Sequence, residues 1–345
     1  MAGSTASFVE DTLRTHRDQI SHALTQYLPD REPRRWLYDL MATYPTRIGK
    51  GIRSSLCLAS CRAFGGTTEE AMPSAAAIEL LHNAFLVHDD IEDGSLSRRG
   101  LPTLHRQHGM PLAVNAGDGL AVAGMTPLRD NVRVLGSVMS ERVFDEFQML
   151  LHRTIEGQAI ELGWRAENVL ELTPVDYLDM VLLKTCSYST IFPLRIGALI
   201  GSWGRADLGP LTRFGFYLGA AFQIRDDLLN LEGRPERYGK EILGDLYEGK
   251  RTLMIIHLLS VLGEQERAWV DYFLSAGRGE RSPEQVQTIL KMMKDHGSIE
   301  FAREFSRGVA AAAREAFDAA FDGIPTSEDL RFIRELIPYM LDRDL

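Results

Sequence analysis

Ala75-Ala76-Ala77-Ile78-Glu79-Leu80-Leu81-His82-Asn83-Ala84-Phe85-Leu86-Val87-His88-Asp89-Asp90-Ile91-Glu92-Asp93 is an apolar stretch that ends in four acids within five positions. Ala75 to Val87 shows no alternation of period two and reads as a buried helix. Its acidic end is costly. Asp89 and Asp93 stand four apart and share one helix face, where like charges repel. The negative end of the helix dipole adds to that repulsion. A cation should offset the charge, and paired carboxylates suit a hard, oxygen-loving ion such as Mg²⁺. A solvated helix end has the same local sequence, so the cluster needs a companion before it marks a site.

The companion is Phe222-Gln223-Ile224-Arg225-Asp226-Asp227-Leu228-Leu229-Asn230. Adjacent aspartates again close an apolar helix, with Asn230 in the place of Asp93. The clusters lie far enough apart in the chain for their helices to face each other across a bundle. So placed, they suit several Mg²⁺ ions bridging a diphosphate, where the metal neutralises a departing pyrophosphate. Asn230 carries no charge, which makes the second cluster the weaker metal site.

Outward from these clusters, apolar residues recur at spacings of three and four over 7–28, 51–63, 71–90, 111–124, 131–163, 174–201, 207–231, 250–274, 282–296, 299–321 and 327–343. Gly65-Gly66, Pro73, Gly94, Gly100, Pro102, Gly204, Gly233, Pro235, Gly277, Gly279 and Pro325 punctuate them. No repeat, low-complexity tract or linker divides the chain. The expectation is all-α, a single domain over residues 1–345, built as a bundle of about 10–13 helices around a central cavity.

Bulk composition narrows the chemistry. With 48 acidic against 38 basic residues and a formal charge of −10, the chain is no general nucleic-acid binder. It needs clustered Lys and Arg to hold a polyanion. Cys57, Cys61 and Cys186 form no CxxC pair and no disulfide framework, which points to a reducing, cytoplasmic setting. The N-terminal stretch has no apolar core of a secretory signal, and no run of about 18 apolar residues reads as a membrane span.

The required cations stand beside the acids. Gly49-Lys50-Gly51-Ile52-Arg53 precedes a helix, with glycines that admit an anion. Arg98-Arg99-Gly100 follows the first cluster. Tyr238-Gly239-Lys240, Gly244-Asp245 and Glu248-Gly249-Lys250-Arg251-Thr252 follow the second. Singly each is an ordinary surface charge; together they outline an anion pocket. His82 lies two helical turns before Asp89 on roughly the same face, as a core histidine or as a donor to a diphosphate oxygen.

These motifs resemble those of the trans-isoprenyl diphosphate synthases, the polyprenyl synthetases, and the resemblance runs from about Lys50 to the last helix. Asp89-Asp90-Ile91-Glu92-Asp93 is similar to the family's first aspartate-rich motif. Asp226-Asp227-Leu228-Leu229-Asn230 is similar to the second, in the Asn form of the geranylgeranyl diphosphate synthase branch. The resemblance implies an isoprenoid-synthase fold, a homodimer, and two substrates, isopentenyl diphosphate and an allylic diphosphate. It implies three Mg²⁺ ions on Asp89, Asp93 and Asp226. Arg98, Lys184, Gln223, Lys240 and Lys250 would hold the allylic diphosphate, with Asn230 close by. Lys50, Arg53, His82 and Arg99 would hold isopentenyl diphosphate, and Thr185 and Gln223 would face the developing cation. One departure is visible: the family often has Arg-Pro where this chain has Arg53-Ser54.

The implied chemistry is ionisation followed by condensation, governed by electrostatic preorganisation and exclusion of water. Bulky residues at the positions of Ala84 and Phe85 limit elongation in the family. One small and one bulky residue there, with Asn230, imply a product of 15 to 20 carbons and favour 20. A class I terpene cyclase on the same scaffold would share the metal motifs and need no isopentenyl site. A His-Asp phosphohydrolase, suggested by His88-Asp89, would need histidine partners that His16, His105, His108, His152, His257 and His296 do not offer in a matching pattern. An inactive partner subunit would have no reason to keep both acidic clusters and the basic set.

Overall fold

The computed structural model describes residues 2–47, 49–233 and 241–341. Helices follow one another as α1 (Ala2–Thr25), α2 (Asp39–Thr46), α3 (Ile52–Ala63), α4 (Thr68–Glu92), α5 (Leu104–His108), α6 (Met110–Ala166), α7 (Pro174–Val181), α8 (Phe192–Gly201), α9 (Gly209–Glu232) and α10 (Gly244–Glu248). The C-terminal part adds α11 (Leu253–Val261), α12 (Glu264–Ser275), α13 (Pro283–Asp295), α14 (Ser298–Ala320) and α15 (Glu328–Leu341).

The apolar stretch before Asp89 forms α4, which starts earlier than its alanines. Thr67 Oγ1 accepts from the Glu70 N–H at 3.3 Å while the Glu70 carboxylate accepts from the Thr67 N–H at 2.8 Å. This reciprocal cap satisfies two amides that would otherwise lack partners. Pro73, expected as punctuation, lies inside the helix; the cap and the buried alanine face outweigh the one hydrogen bond it removes. α4 packs along α6, α3 packs on α8, and α9 packs on α14. A second apolar cluster joins α1, α3, α9, α14 and α15, where Phe214 meets Phe317 edge-on at 5.4 Å between ring centroids. Each such buried aromatic contributes roughly 1.5–3 kcal/mol.

Three departures from the expected elements have physical causes. Segments 111–124 and 131–163 run together in α6, and the break falls at Gly136, with φ 73° and ψ 169°. Segment 250–274 divides at Leu262 and Gly263 into α11 and α12. Within 174–201 the helix continues from α7 to α8, but Leu182–Ile191 is wound as a π-helix, a form that recurs at functional sites. The short α2, α5 and α10 escape periodicity because they span two turns or fewer.

The lone strand pair among the described residues is a tiny hairpin, β1 (Ser97–Arg98) and β2 (Leu101–Pro102), with Arg98 opposite Leu101. Its two turn residues, Arg99 and Gly100, have φ of 54° and 75°. Both therefore take the left-handed conformation that a two-residue hairpin loop demands.

Candidate functional site

A cavity of about 1170 Å³ opens between α3, α4, α6, α9 and the π-helical segment. That volume suits an elongated organic ligand. Acids line two opposite walls: Asp89 and Glu92 from α4, Asp226 and Asp227 from α9. Lys50, Arg53, His82, Arg98 and Arg99 line the upper part together with Lys184, Thr185, Gln223 and Lys250. Leu81, Ala84, Phe85, Ala121, Met125 and Leu151 add an apolar part to the lining, which serves as its floor.

The cations that the acidic helix end requires are present. Arg98 Nη2 lies 3.3 Å from Asp89 Oδ2, and its guanidinium also clasps the buried Asp90 carboxylate. Asp90 takes a further 2.5 Å hydrogen bond from the Tyr44 hydroxyl, so it faces away from the cavity. Lys184 Nζ lies 3.3 Å from Asp89 Oδ1 and pairs with Glu161. Asp93 caps α4 and is buried, paired with Lys250 at 2.7 Å and with Arg165 at 2.9 Å. Burial alone would raise its pKa, but Lys250, Lys184 and Arg165 together pull it below the ordinary value. Lys184 and Lys250 are pushed up: desolvation works against their charge, and the surrounding carboxylates overcome it. Asp93 therefore shares a helix end with Asp89 but does not line the cavity, because Lys250 and Arg165 hold its carboxylate inside the protein.

The second cluster is built differently. Asp227 accepts from the Tyr177 hydroxyl at 2.7 Å and from Gln223 Nε2 at 2.7 Å. Gln223 Oε1 in turn accepts from Thr185 Oγ1 at 2.9 Å. Burial, then Asp245, raises the Asp227 pKa to about 8. Asn230 is buried outside the cavity lining. Its amide donates to the Glu241 carbonyl at 3.2 Å, and its oxygen accepts from the Asp245 N–H at 3.1 Å. It fastens the segment after α9 and presents no side-chain atom to the cavity. Lys240 lies outside the described residues.

The hairpin sorts two adjacent arginines. Arg98 reaches the α4 acids, while Arg99 donates to the Tyr44 and Arg47 carbonyls at 3.0 and 2.9 Å. Ser54, the departure noted above, donates from both Oγ (2.8 Å) and N (3.3 Å) to Glu79 Oε1. A proline could supply neither bond. The π-helical segment approaches α6 so closely that a Cβ at Gly157 would run into the Lys184 backbone. Only glycine lets Lys184 sit at that depth.

The family model for polyprenyl synthetases matches residues 34–293. The chain belongs to the polyprenyl synthetase family. By that membership it is a prenyl-transferring enzyme. A geranylgeranyl diphosphate synthase of Sulfolobus acidocaldarius is 34% identical over 285 residues, covering 83% of this chain and 84% of its own. A geranylfarnesyl diphosphate synthase of Aeropyrum pernix is 30% identical over 326 residues, covering 89% and 98%. The crystal structure of a geranylgeranyl pyrophosphate synthetase from Pyrococcus horikoshii superposes with a TM-score of 0.84 at 28% identity, over 97% of this chain and 99% of that one.

Within this polyprenyl synthetase, Glu161, Arg165 and Tyr188 carry no mark in the sequence motifs, and Glu248 carries one without a role. Glu161 and Arg165 stand one turn apart on α6 and brace Lys184 and Asp93. Tyr188 accepts from Arg53 Nη2 at 3.0 Å and lies under that guanidinium at 4.5 Å. The Tyr188 ring also meets His82 and Phe85 at 5.8 and 5.7 Å. Glu248 pairs with Lys250 at 2.8 Å. The available signal was the i, i+4 spacing of Glu161 and Arg165, an opposite-charge pair at the end of a long helical segment.

Proposed function

We propose that this chain is a Mg²⁺-dependent trans-prenyltransferase that condenses isopentenyl diphosphate with an allylic diphosphate and releases a C20 diphosphate. The observation that carries the reading is one cavity joining two opposed aspartate clusters, a cationic upper wall and an apolar floor. The donor set fits magnesium: every acidic side chain on the two walls offers oxygen. Among the described residues no three His, Cys, Asp or Glu side chains converge into a cage of their own. Mg²⁺ takes one or two carboxylates and completes its shell with water and substrate phosphates, so Asp89 and Asp226, which line the cavity, are the proposed holders of three ions, joined by Asp93 once Lys250 leaves it for the diphosphate. Bound there, the metal would supply Lewis-acid neutralisation of the departing pyrophosphate.

Arg98, Lys184 and Lys250 orient the allylic diphosphate, and Lys50, Arg53, His82 and Arg99 orient isopentenyl diphosphate. Breaking the allylic C–O bond leaves pyrophosphate among cations that need not reorganise. The oxygens of Thr185 and Gln223 face the allylic cation while the apolar floor excludes water. The isopentenyl double bond forms the new C–C bond, and the proton it releases passes to the pyrophosphate. No side-chain nucleophile takes part.

Phe85 stands one turn below Asp89, and a turn rises about 5.4 Å, close to one isoprene unit. The small Ala84 beside it leaves room for a C20 chain. The geranylgeranyl names of the Sulfolobus and Pyrococcus relatives favour that length, and the geranylfarnesyl name of the Aeropyrum relative marks C25 as the neighbouring outcome. The exposed apolar residues Val122, Val138 and Phe144 on α6 leave apolar surface that a second copy of the chain would cover, which supports a homodimer. No helix among the described residues is long and apolar enough to cross a membrane.

Incubation with Mg²⁺, isopentenyl diphosphate and dimethylallyl, geranyl or farnesyl diphosphate, followed by mass analysis, tests the reading. A linear C20 diphosphate is expected, and Asp89→Ala should lower its formation by about 10³-fold or more. A hydrocarbon formed from the allylic substrate alone would replace the synthase reading with a cyclase.

A further inference from the structure

The upper wall of the cavity contains a cation that no motif supplies. Arg17, on α1, lines the cavity beside Gly49, Lys50 and Gly51. α1 is fixed at that place by its neighbours. Leu13 and Ile20 are buried, and the preceding residue, His16, puts Nε2 2.8 Å from Arg62 Nη2. Arg62 is itself clasped by Asp329 on α15. Gly51, with φ 64°, faces the stem of Arg17, and a Cβ there would lie 3.6 Å from Arg17 Cβ. Arg17 is therefore carried to the wall by a braced helix and is not a free surface side chain. Its ion pair with Asp18 is at 4.0 Å, and Asp18 is 75% exposed, so that pair holds it only loosely.

Charge around Arg17 is one-sided. Lys50, Arg53 and Arg99 share the wall, and its acid, Glu79, is occupied by Ser54. Burial and the neighbouring arginines Arg53, Arg98 and Arg47 lower the pKa of Arg99, with Glu79 opposing them. Such crowding of cations calls for a polyanion with several oxygens.

We infer that Arg17 is a substrate-binding residue that grips the diphosphate of isopentenyl diphosphate from the α1 side. This rests on the functional reading above and deepens it. A guanidinium presents paired donors that match diphosphate oxygens, and it completes a wall whose other cations come from the loop before α3, α3 itself and the hairpin.

Calorimetric binding of isopentenyl diphosphate to the full-length protein, alongside steady-state kinetics, tests the inference with Arg17→Ala, Arg17→Lys and the exposed control Arg14→Ala. Arg17→Ala should raise both Kd and KM for isopentenyl diphosphate by about 10- to 100-fold. The allylic KM and the melting temperature should hold, Arg17→Lys should recover part of the loss, and Arg14→Ala should match the wild type. An isopentenyl Kd within twofold of wild type for Arg17→Ala would overturn the inference. So would a parallel shift of both Michaelis constants with a lowered melting temperature, which marks a structural role. If the wild type itself neither binds nor incorporates isopentenyl diphosphate, the functional reading is what has failed.

Discussion

Asp90 and Asp227 hold the same place in the two clusters, each the second of two adjacent aspartates at the end of an apolar helix. Each accepts a hydrogen bond from a buried tyrosine, Tyr44 in one case and Tyr177 in the other. They differ in the remaining neighbour. Asp90 faces the Arg98 guanidinium, whereas Asp227 faces the neutral amide of Gln223 with Asp245 and Asp226 nearby. One arginine separates a carboxylate locked into a buried ion pair from one pushed toward its acid form. Sequence spacing thus sets where an acid sits, and its partners set what that acid is.

The comparison breaks most visibly at Arg98. Arg98→Met should cost about 3–5 kcal/mol in urea denaturation, because it strands Asp90 inside the protein. Gln223→Met, its counterpart, should cost about 1–2 kcal/mol, the loss of neutral hydrogen bonds. Equal costs would mean that the two sites are electrostatically alike. Neutralising the acids themselves sharpens the contrast. Asp90→Asn should destabilise by about 2–3 kcal/mol, while Asp227→Asn should cost no more than about 1 kcal/mol at pH 5 and become the more stable protein as pH rises, since Tyr177 can turn to accept from the new amide.

Acidity gives a third handle, in the metal-free protein. Burial and Asp245 raise the folded-state pKa of Asp227 to about 8, above the ordinary aspartate value of 3.8. The folded protein therefore holds the extra proton, and this stabilisation is complete below the unfolded value and is lost as pH rises through 8. Wild-type stability minus that of Asp227→Asn should fall between pH 5 and pH 8, by at most about 1.4 kcal/mol per unit. His16 runs the other way. Burial and Arg62 lower its pKa to about 4, so its contribution is present above 6.5 and lost as pH drops toward 4; His16→Gln should flatten that limb. Away from both clusters, Phe85→Ala should leave stability within about 2 kcal/mol and extend the product by one C5 unit, read by mass. An unchanged product would show that the floor is set elsewhere.

Much of this was legible in the chain. Long amphipathic helices, both acidic clusters and the basic groups beside them follow from spacing alone. What escaped was what spacing does not carry. A π-helix and an α-helix share nearly the same apolar pattern over Leu182–Ile191, so the winding that sets Lys184 against Asp89 and Thr185 against Gln223 left no mark. Asn230 looks like a cavity residue by analogy with Asp93, yet both it and Asp93 turn inward, each captured by a segment distant in sequence. Arg17 and Arg165 are ordinary helix-surface arginines until tertiary packing brings α1 to Gly51 and α6 to Asp93.

The two-residue hairpin has a consequence for how such an enzyme changes over generations. Arg98 and Arg99 are consecutive, and the turn sends one toward the α4 acids and the other toward Gly49. On the proposed assignment, the grips on the two diphosphates are thus joined through a single peptide bond. A mutation that shifts this backbone displaces both grips together, so drift in one pocket is penalised by the other. Adaptation to a new primer must then come through side chains on the floor, where change leaves the paired arginines untouched.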